Sequence, residues 1–217
     1  MTEALRDLVE LAIVVDEFFD QNCYIVRRRD SSSVLVIDPG LQFPRTLELL
    51  DAKNLHCDRI LLTHGHPDHS SGVPAVKAAH GCTAAIHPDD REQLAAIRKW
   101  PGVPSDFPDI VCEDDLRDGE VIRWNDLDLQ VTHTPGHTRG SVCFRIGPDI
   151  VSGDTLFHRS VGRTDLPGGD HATLINSIRT VLFAFGDDAE VYPGHGPKTT
   201  IGEEMRLNPF VPHRRYR

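Results

Sequence analysis

The chain has 217 residues, of which 39% are hydrophobic and 26% are charged, and its formal net charge at pH 7 is -10. This length suits one large domain, or two small ones, with a sizeable core. The acidic balance disfavours nonspecific binding to nucleic acid or to an anionic membrane surface, so neither is an expected partner.

The cysteines and the two ends of the sequence indicate a compartment. Five cysteines are scattered along the chain without a C-x-x-C pair, so no disulfide framework is expected. The first residues lack the basic start and apolar run of a signal peptide, and no apolar run approaches the roughly 20 residues that cross a bilayer. We therefore expect a cytoplasmic protein, in which the basic stretch 213–217 is a solvated tail.

The first half of the chain is predicted to alternate short strands with helices. Runs of β-branched residues indicate strands, and apolar spacing with proline or glycine at the ends indicates helices. The predicted strands are 11–15, 23–27, 34–37, 59–62 and 83–86. The predicted helices are 44–53, 70–80 and 88–99, and Gly81 is expected to end the second of them.

The second half repeats this alternation after a proline-rich loop at 100–109. The predicted strands are 120–124, 127–133, 141–146, 150–152 and 190–192, with Asn125-Asp126 as a hairpin turn. The predicted helices are 172–185 and 201–207, and Asp170 or Thr173 is expected to cap the first. The order predicts an α/β fold of two sheets with helices on their outer faces.

The stretch THGHPDHSSG, residues 63–72, concentrates metal-ligand side chains directly after a predicted strand. Three more predicted strands end in Gly- or Pro-rich turns that carry PGH, GD and PGHG. The candidate ligands are His64, His66, Asp68, His69, His137, Asp154 and His195. A lone loop histidine is usually a surface residue, but this set is large enough for two ions. Imidazole and carboxylate suit zinc, iron or manganese.

These motifs resemble the metallo-β-lactamase fold superfamily over nearly the whole chain. The resemblance implies a single domain over 1–217, a four-layer αβ/βα sandwich of two mixed sheets with outer helices. It also implies a metal site at one edge of the sandwich. By this resemblance, the first ion is held by His64, His66 and His137, the second by Asp68, His69 and His195, and Asp154 bridges them.

Three further segments resemble the small hydroxyacylglutathione hydrolase (glyoxalase II) group: NCY at 22–24, GRTDLPGGD at 162–170 and NPF at 208–210. This resemblance implies two divalent ions, with zinc preferred and iron or manganese as alternatives. It implies that a metal-bridged hydroxide cleaves a small-molecule acyl thioester, and that Asp68 is catalytic and orients the hydroxide. True β-lactamases of this fold match less well because they lack a bridging carboxylate.

The sequence does not decide which residues contact the substrate. Arg163 either holds a substrate carboxylate or pairs with Asp165 to fix its loop, and Phe157 either lines the pocket or packs in the core. His158 is expected to be exposed and His133 to be structural. Only 22 residues follow His195, so we expect most of the glutathione-gripping extension of larger relatives to be missing, and a different thioester fits equally.

Two other functions remain as alternatives. Persulfide dioxygenases of the same fold use one iron, which the resemblance would place on His64, His137 and Asp154. The third hypothesis is a non-catalytic metal-binding or interaction protein, although structural metal sites are usually closed and rich in thiolates. The complete second-site ligand set and the LPGGD continuation favour the hydrolase. The oligomeric state is left open.

Overall fold

The structure is a computed structural model that describes residues 9–17 and 19–211. The chain forms two compact units, one up to Leu116 and one from Arg117 onwards. The predicted basic tail lies outside the described residues, as do the first residues of the chain. None of the helices in the described ranges has the length and apolar character that a membrane crossing requires.

The first unit is built on a six-stranded mixed sheet whose strands follow one another in chain order. Its strands are β1 Val9–Val15, β2 Asn22–Arg28, β3 Ser33–Ile37, β4 His56–Leu61, β5 Thr83–Ile86 and β6 Asp114–Asp115. The first three strands form the predicted antiparallel meander, and β3 to β6 run parallel. Strands β3 and β5 are nearly continuous apolar runs, as is typical of strands covered on both faces, whereas β4 is apolar and buried mainly at its end, Ile60 and Leu61.

The helices of the first unit connect these strands. They are Phe43–Ala52, Pro67–Ser70, Val73–His80 and Arg91–Ala95, flanked by 3-10 turns at Pro88–Asp90 and Ile97–Lys99. The predicted helix 88–99 is thus broken, because Ala96 leaves helical geometry at φ −92° and ψ 5°. The predicted helix 70–80 begins only after Gly72, whose N–H donates to the Pro39 carbonyl, and Gly81 ends it at φ 66° as expected.

The second unit has its own six-stranded mixed sheet and a small two-stranded one. Its strands are β7 Val121–Trp124, β8 Leu127–His133, β9 Val142–Ile146, β10 Asp149–Gly153, β11 Leu156–Phe157, β12 Ser160–Val161, β13 Glu190–Pro193 and β14 Thr199–Thr200. The sheet order is β14-β13-β10-β9-β8-β7, and β11 pairs with β12. Only the β10–β13 pair is parallel among the described strands of this unit.

The turns and helices of the second unit follow the local sequence. Asn125 and Asp126 have φ values of 47° and 61°, the left-handed pair of a tight hairpin between β7 and β8. The helix His171–Thr180 is capped by the Asp170 carboxylate, which accepts the Thr173 N–H at 2.7 Å. It ends before a 3-10 turn at Leu182–Phe185, so the predicted helix 172–185 is too long. The helix Ile201–Leu207 has the predicted bounds.

The prediction of an α/β fold with two mixed sheets is confirmed. Four two-residue strands, β6, β11, β12 and β14, were not predicted because two residues are too few to show an alternating pattern. The single domain over 1–217 stays a prediction.

Candidate metal centre

The motif loop of the first unit follows β4 directly and is shaped by close packing. Its Gly65 N–H donates to the buried carboxylate of Asp90 at 2.9 Å. A Cβ at this glycine would lie 3.0 Å from the Asp90 carbonyl oxygen and from the Gln93 side chain, so a larger residue would push the loop outwards. His66 then stands in extended geometry as the N-cap of the short helix Pro67–Ser70, which carries Asp68 and His69.

The imidazoles of this loop converge. His64 Nε2 lies 3.1 Å from His66 Nδ1, and His69 Nε2 lies 3.7 Å from Asp68 Oδ2. Two ligand atoms bound tetrahedrally to zinc would be about 3.3 Å apart. The separation within each of these two pairs is therefore close to that of two ligands on one cation. The three histidines are buried, at 0%, 4% and 0% exposure, where the ring nitrogens need partners that a bound cation can supply. The residues therefore fit a divalent metal.

Asp38 orients two of these imidazoles, and we did not predict it. Its carboxylate accepts the Thr63 N–H at 2.8 Å and the Thr63 hydroxyl at 2.6 Å, and it bonds His69 Nδ1 at 2.9 Å. The Thr63 hydroxyl oxygen in turn lies 3.0 Å from His64 Nδ1. Both Nδ1 atoms are thereby engaged, so a metal ion bound by His64 or His69 would be bound through Nε2.

Asp38 is itself 1% exposed and has a φ of 53°. Asp38, His64 and His69 could together hold an ion, since their ligand atoms lie within 4.8 Å of one another. Both oxygens of Asp38 already accept hydrogen bonds, so we assign it to orientation instead. Asp38 follows the end of β3 and precedes Pro39-Gly40. A position directly after a strand is the same sequence signal that marked Asp154.

Trp100 is a second neighbour that we did not single out. Its ring centroid lies 5.0 Å from that of His66, with the rings at 66°. The residue opens the loop 100–109, which we had treated only as an irregular surface segment. This edge contact restricts the orientation of the His66 ring.

The second unit brings its three predicted ligands together around one carboxylate. Asp154 Oδ2 lies 3.4 Å from His137 Nε2 and 3.5 Å from His195 Nε2. His137 Nδ1 bonds the Arg163 carbonyl oxygen at 2.7 Å, which orients the ring so that Nε2 faces Asp154. Asp154 Oδ2 would therefore be within reach of an ion held by either imidazole.

Two glycines near these ligands lie where the chain packs too closely for a side chain. Gly136, which precedes His137, has a φ of 135°, and a Cβ there would lie 2.2 Å from the Leu174 nitrogen. A Cβ at Gly162 would lie 1.9 Å from the Asp154 carbonyl oxygen. The segment 162–165 therefore passes against the backbone of Asp154 because residue 162 has no side chain.

The predicted substrate contacts lie in this second unit. Arg163 donates two hydrogen bonds of 2.7 Å to Asp165, which lower the pKa of the Asp165 carboxyl to about 2. The Phe157 ring is partly exposed and lies edge-on to the His195 ring, with centroids 5.9 Å apart. A substrate contact for either residue stays a prediction.

The two remaining histidines that we considered have other contacts. His158 Nε2 lies 3.4 Å from a Glu203 carboxylate oxygen, with 36% of its side chain exposed. His133 Nε2 bonds the Arg139 carbonyl oxygen at 2.8 Å, as a structural residue would.

Several known proteins have sequences similar to that of this chain. Residues 16–195 match the family described as the metallo-beta-lactamase superfamily. An uncharacterized protein of Mycobacterium leprae (strain TN) is 41% identical over 203 residues, which cover 88% of this chain and 93% of that protein. The hydroxyacylglutathione hydrolase GloC of Haemophilus influenzae is 32% identical over 212 residues, covering 94% and 98% respectively.

Solved structures give the same result. The BLEG-1 B3 metallo-beta-lactamase is 31% identical with a TM-score of 0.84, covering 94% of this chain and 100% of that one. TTHA1623 in a di-iron-bound form is 35% identical with a TM-score of 0.79, at 92% and 99% coverage. ETHE1 from Myxococcus xanthus is 28% identical with a TM-score of 0.76, at 92% and 83% coverage. The chain therefore belongs to the metallo-beta-lactamase superfamily, whose members are generally metal-dependent hydrolases.

Proposed function

We propose that this protein hydrolyses a small-molecule acyl thioester and that it uses two divalent metal ions as cofactors. The observation that carries the proposal is the position of Asp154 Oδ2 between the Nε2 atoms of His137 and His195. A carboxylate oxygen in this position would reach an ion on each imidazole, as a pair of ions needs. The similarity to a protein named hydroxyacylglutathione hydrolase supports the thioester as substrate class.

The ligand assignment rests on the family resemblance together with the geometry inside each unit. We assign His64, His66 and His137 to one ion, Asp68, His69 and His195 to the other, and Asp154 to both. In the first unit, the Nδ1 atoms of His64 and His69 bond Thr63 and Asp38. In the second unit, His137 Nδ1 bonds the Arg163 carbonyl oxygen, so Nε2 of each imidazole is the nitrogen that we assign to metal. This donor set suits zinc first, with iron or manganese as alternatives.

Divalent ions in such a centre supply Lewis acidity and hydroxide near neutral pH. Asp68 is only partly buried, with 26% of its side chain exposed, and its carboxylate lies beside His69. We assign it the catalytic role of orienting the attacking hydroxide besides binding metal. A thiolate is a good leaving group because an ordinary thiol has a pKa of about 8.5, so no protein acid is needed to protonate it.

The proposed substrate contacts are Phe157 and Arg163. The Phe157 ring lies beside His195 and could pack against an acyl or thiol group. Arg163 is bound to Asp165 but keeps 61% of its side chain exposed, so its outer face remains available to a substrate carboxylate. The net charge of -10 supports a small-molecule partner over nucleic acid or membrane, and the scattered cysteines without a C-x-x-C pair support the proposal of a cytoplasmic protein.

A mononuclear persulfide dioxygenase is the second candidate. It would need His64, His137 and Asp154 around one iron. The contact between His137 Nε2 and Asp154 Oδ2, 3.4 Å long, serves a single ion as well as a pair. The two candidates thus differ in how many ions the same residues hold.

Metal content per folded chain separates these functions. The protein is purified without added metal and analysed for its elements, and then assayed with a hydroxyacyl thioester of glutathione, acetyl-coenzyme A, a cephalosporin and a persulfide. Near two equivalents of metal with thioester turnover supports the proposal. One equivalent of iron with oxygen consumption on the persulfide replaces it with the dioxygenase. Turnover of the cephalosporin alone makes the protein a β-lactamase.

Loss of either ion should abolish hydrolysis. His66→Ala and Asp68→Ala are expected to lower kcat/KM for the thioester by at least about 100-fold, while circular dichroism shows an intact fold. His171→Ala, at an exposed histidine of the helix His171–Thr180, is the matched control and should keep full activity. Hydrolysis that survives His66→Ala or Asp68→Ala contradicts the two-metal mechanism.

A further inference from the structure

The motif loop of the first unit lies against a second segment of the same unit, residues 88–100. Asp90 of this segment accepts the Gly65 N–H at 2.9 Å. We propose that Asp90 is a positioning residue, which fixes the directions of His64 and His66 relative to each other and thereby sets the affinity for the ion that we assign to both. This inference rests on the proposed function, which supplies that assignment.

The backbone of Gly65 explains why such a residue is needed. Gly65 alone separates His64 from His66, and a glycine backbone has more conformational freedom than that of any other residue. The loop sequence therefore does not by itself fix the angle between the two imidazoles. The hydrogen bond to Asp90 fixes the peptide plane that follows His64, because the donor N–H lies in that plane. Asp90 is 0% exposed, so water does not compete for this bond.

The segment 88–100 is anchored at points outside the motif loop. Arg91 donates hydrogen bonds of 3.0 and 2.8 Å to the carboxylate of Asp115 in β6. Leu94 and Ile97 are buried in the hydrophobic core of the first unit, at 3% and 1% exposure. A segment that is held in this way can determine where the motif loop lies.

Trp100, at the end of this segment, adds a contact with His66. The two ring centroids are 5.0 Å apart and the rings are inclined at 66°. The Trp100 N–H donates to the carbonyl of the buried Ile97 at 3.1 Å, which ties the position of the indole to the core. The segment thus restrains the loop through the backbone of Gly65 and through the ring of His66.

The other two proposed ligands of the motif loop, Asp68 and His69, have supports of their own. Both lie on the short helix Pro67–Ser70, and His69 Nδ1 bonds the Asp38 carboxylate at 2.9 Å. The inference therefore predicts a selective effect. Loss of the hydrogen bond from Gly65 should weaken the ion assigned to the first two histidines of the motif and spare the other ion.

The test follows zinc as it leaves the metal-loaded protein when a chelator lowers the free zinc concentration, with elemental analysis of the zinc retained per chain. The step that is missing in His66→Ala identifies the ion on His64 and His66. Asp90→Ala should raise the dissociation constant of this step by about 10-fold or more and leave the other step unchanged. Asp90→Asn keeps an acceptor oxygen for the Gly65 N–H and should recover most of the affinity.

Glu92→Gln is the matched control, because Glu92 is an exposed carboxylate on the helix that follows Asp90, and both of its zinc steps should be unchanged. If Asp90→Ala fails to fold, Gly65→Ala takes its place. A Cβ at this position would lie 3.0 Å from the Asp90 carbonyl oxygen, so the loop has to move away from the carboxylate that it bonds. Gly65→Ala should weaken the same step.

The outcomes separate this inference from the proposed function. Two zinc steps that Asp90→Ala weakens equally, or leaves unchanged, overturn the inference and leave the proposed function standing. A single zinc step in the unsubstituted protein overturns the two-ion function instead. His64 is also a ligand in the dioxygenase arrangement, so Asp90→Ala must then weaken that single step by about 10-fold, and an unchanged step overturns the inference as well. A protein that binds no zinc overturns both.

Discussion

The carboxylate of Asp38 carries three hydrogen bonds, one of which joins it to His69. Asp38→Asn keeps the shape but removes the charge and one acceptor, so His69 loses its fixed orientation. We expect metal affinity to fall by about 10- to 100-fold, the usual effect of losing such a partner. Competition of the purified variant with a chromophoric chelator measures this change.

Asp30→Asn is the matched control for Asp38→Asn. Asp30 lies at an exposed turn, where it pairs only with Arg28 at 2.9 Å among the described residues. The metal affinity of the Asp30→Asn variant should equal that of the unsubstituted protein. If Asp38→Asn also binds metal normally, the hydrogen bonds of Asp38 serve the backbone of the loop and not the imidazoles.

At the scale of elements, the hairpin β11–β12 depends on the helix Ile201–Leu207. Glu204 of this helix is fully buried and accepts the Arg159 N–H at 2.9 Å and the Thr199 hydroxyl at 2.5 Å. The amide of Asn208 donates to Glu204 at 2.8 Å and to the Ser160 carbonyl at 3.0 Å. The hairpin that carries Phe157 is thereby held from one side by the end of the chain.

Glu204→Ala should destabilise the protein strongly because it leaves three donors without this acceptor, two of them on the buried residues Thr199 and Asn208. We expect the free energy of unfolding to fall by about 2–5 kcal/mol. Urea denaturation followed by fluorescence gives the value. The neighbouring Glu203→Ala removes a half-buried carboxylate whose ion pairs with His158 and Arg159 are open to solvent, so it should change the denaturation midpoint much less. Equal midpoints for the two variants would show that the buried network contributes nothing to stability.

The elements also show how far the sequence predicts the structure. Strand ends marked by PGH, GD and PGHG led to the correct turns, because Gly and Pro determine where strands stop and the β-branched runs before them are long enough to recognise. The break at Ala96 was missed because it lies within a run of good helix formers. Asp38 and Trp100 were missed because their roles depend on contacts with His69 and His66 that only folding creates.

For the whole molecule, the proposed ligand set takes residues from both compact units, so metal binding should contribute to the stability of the entire chain. A ligand that binds only the folded state stabilises it by about 2.7 kcal/mol at a concentration 100 times its Kd. We expect removal of metal with a chelator to lower the melting temperature by about 5 °C or more.

The comparison for this melting experiment is the Asp68→Ala variant. Its melting temperature should respond less to the chelator than that of the unsubstituted protein, because one proposed ligand is absent. A melting temperature that is the same with and without chelator would contradict a metal centre that is linked to folding.

The close approach of Gly162 to the Asp154 backbone bears on any effort to redesign substrate choice. A library that varies the GRTD segment would find position 162 intolerant of every side chain, since even a methyl group would overlap the Asp154 carbonyl oxygen. That intolerance would look like a substrate contact in activity data, although it reflects only lack of space. Diversity is better placed at positions 163 to 165, where Arg163 and Asp165 are exposed and can be exchanged together.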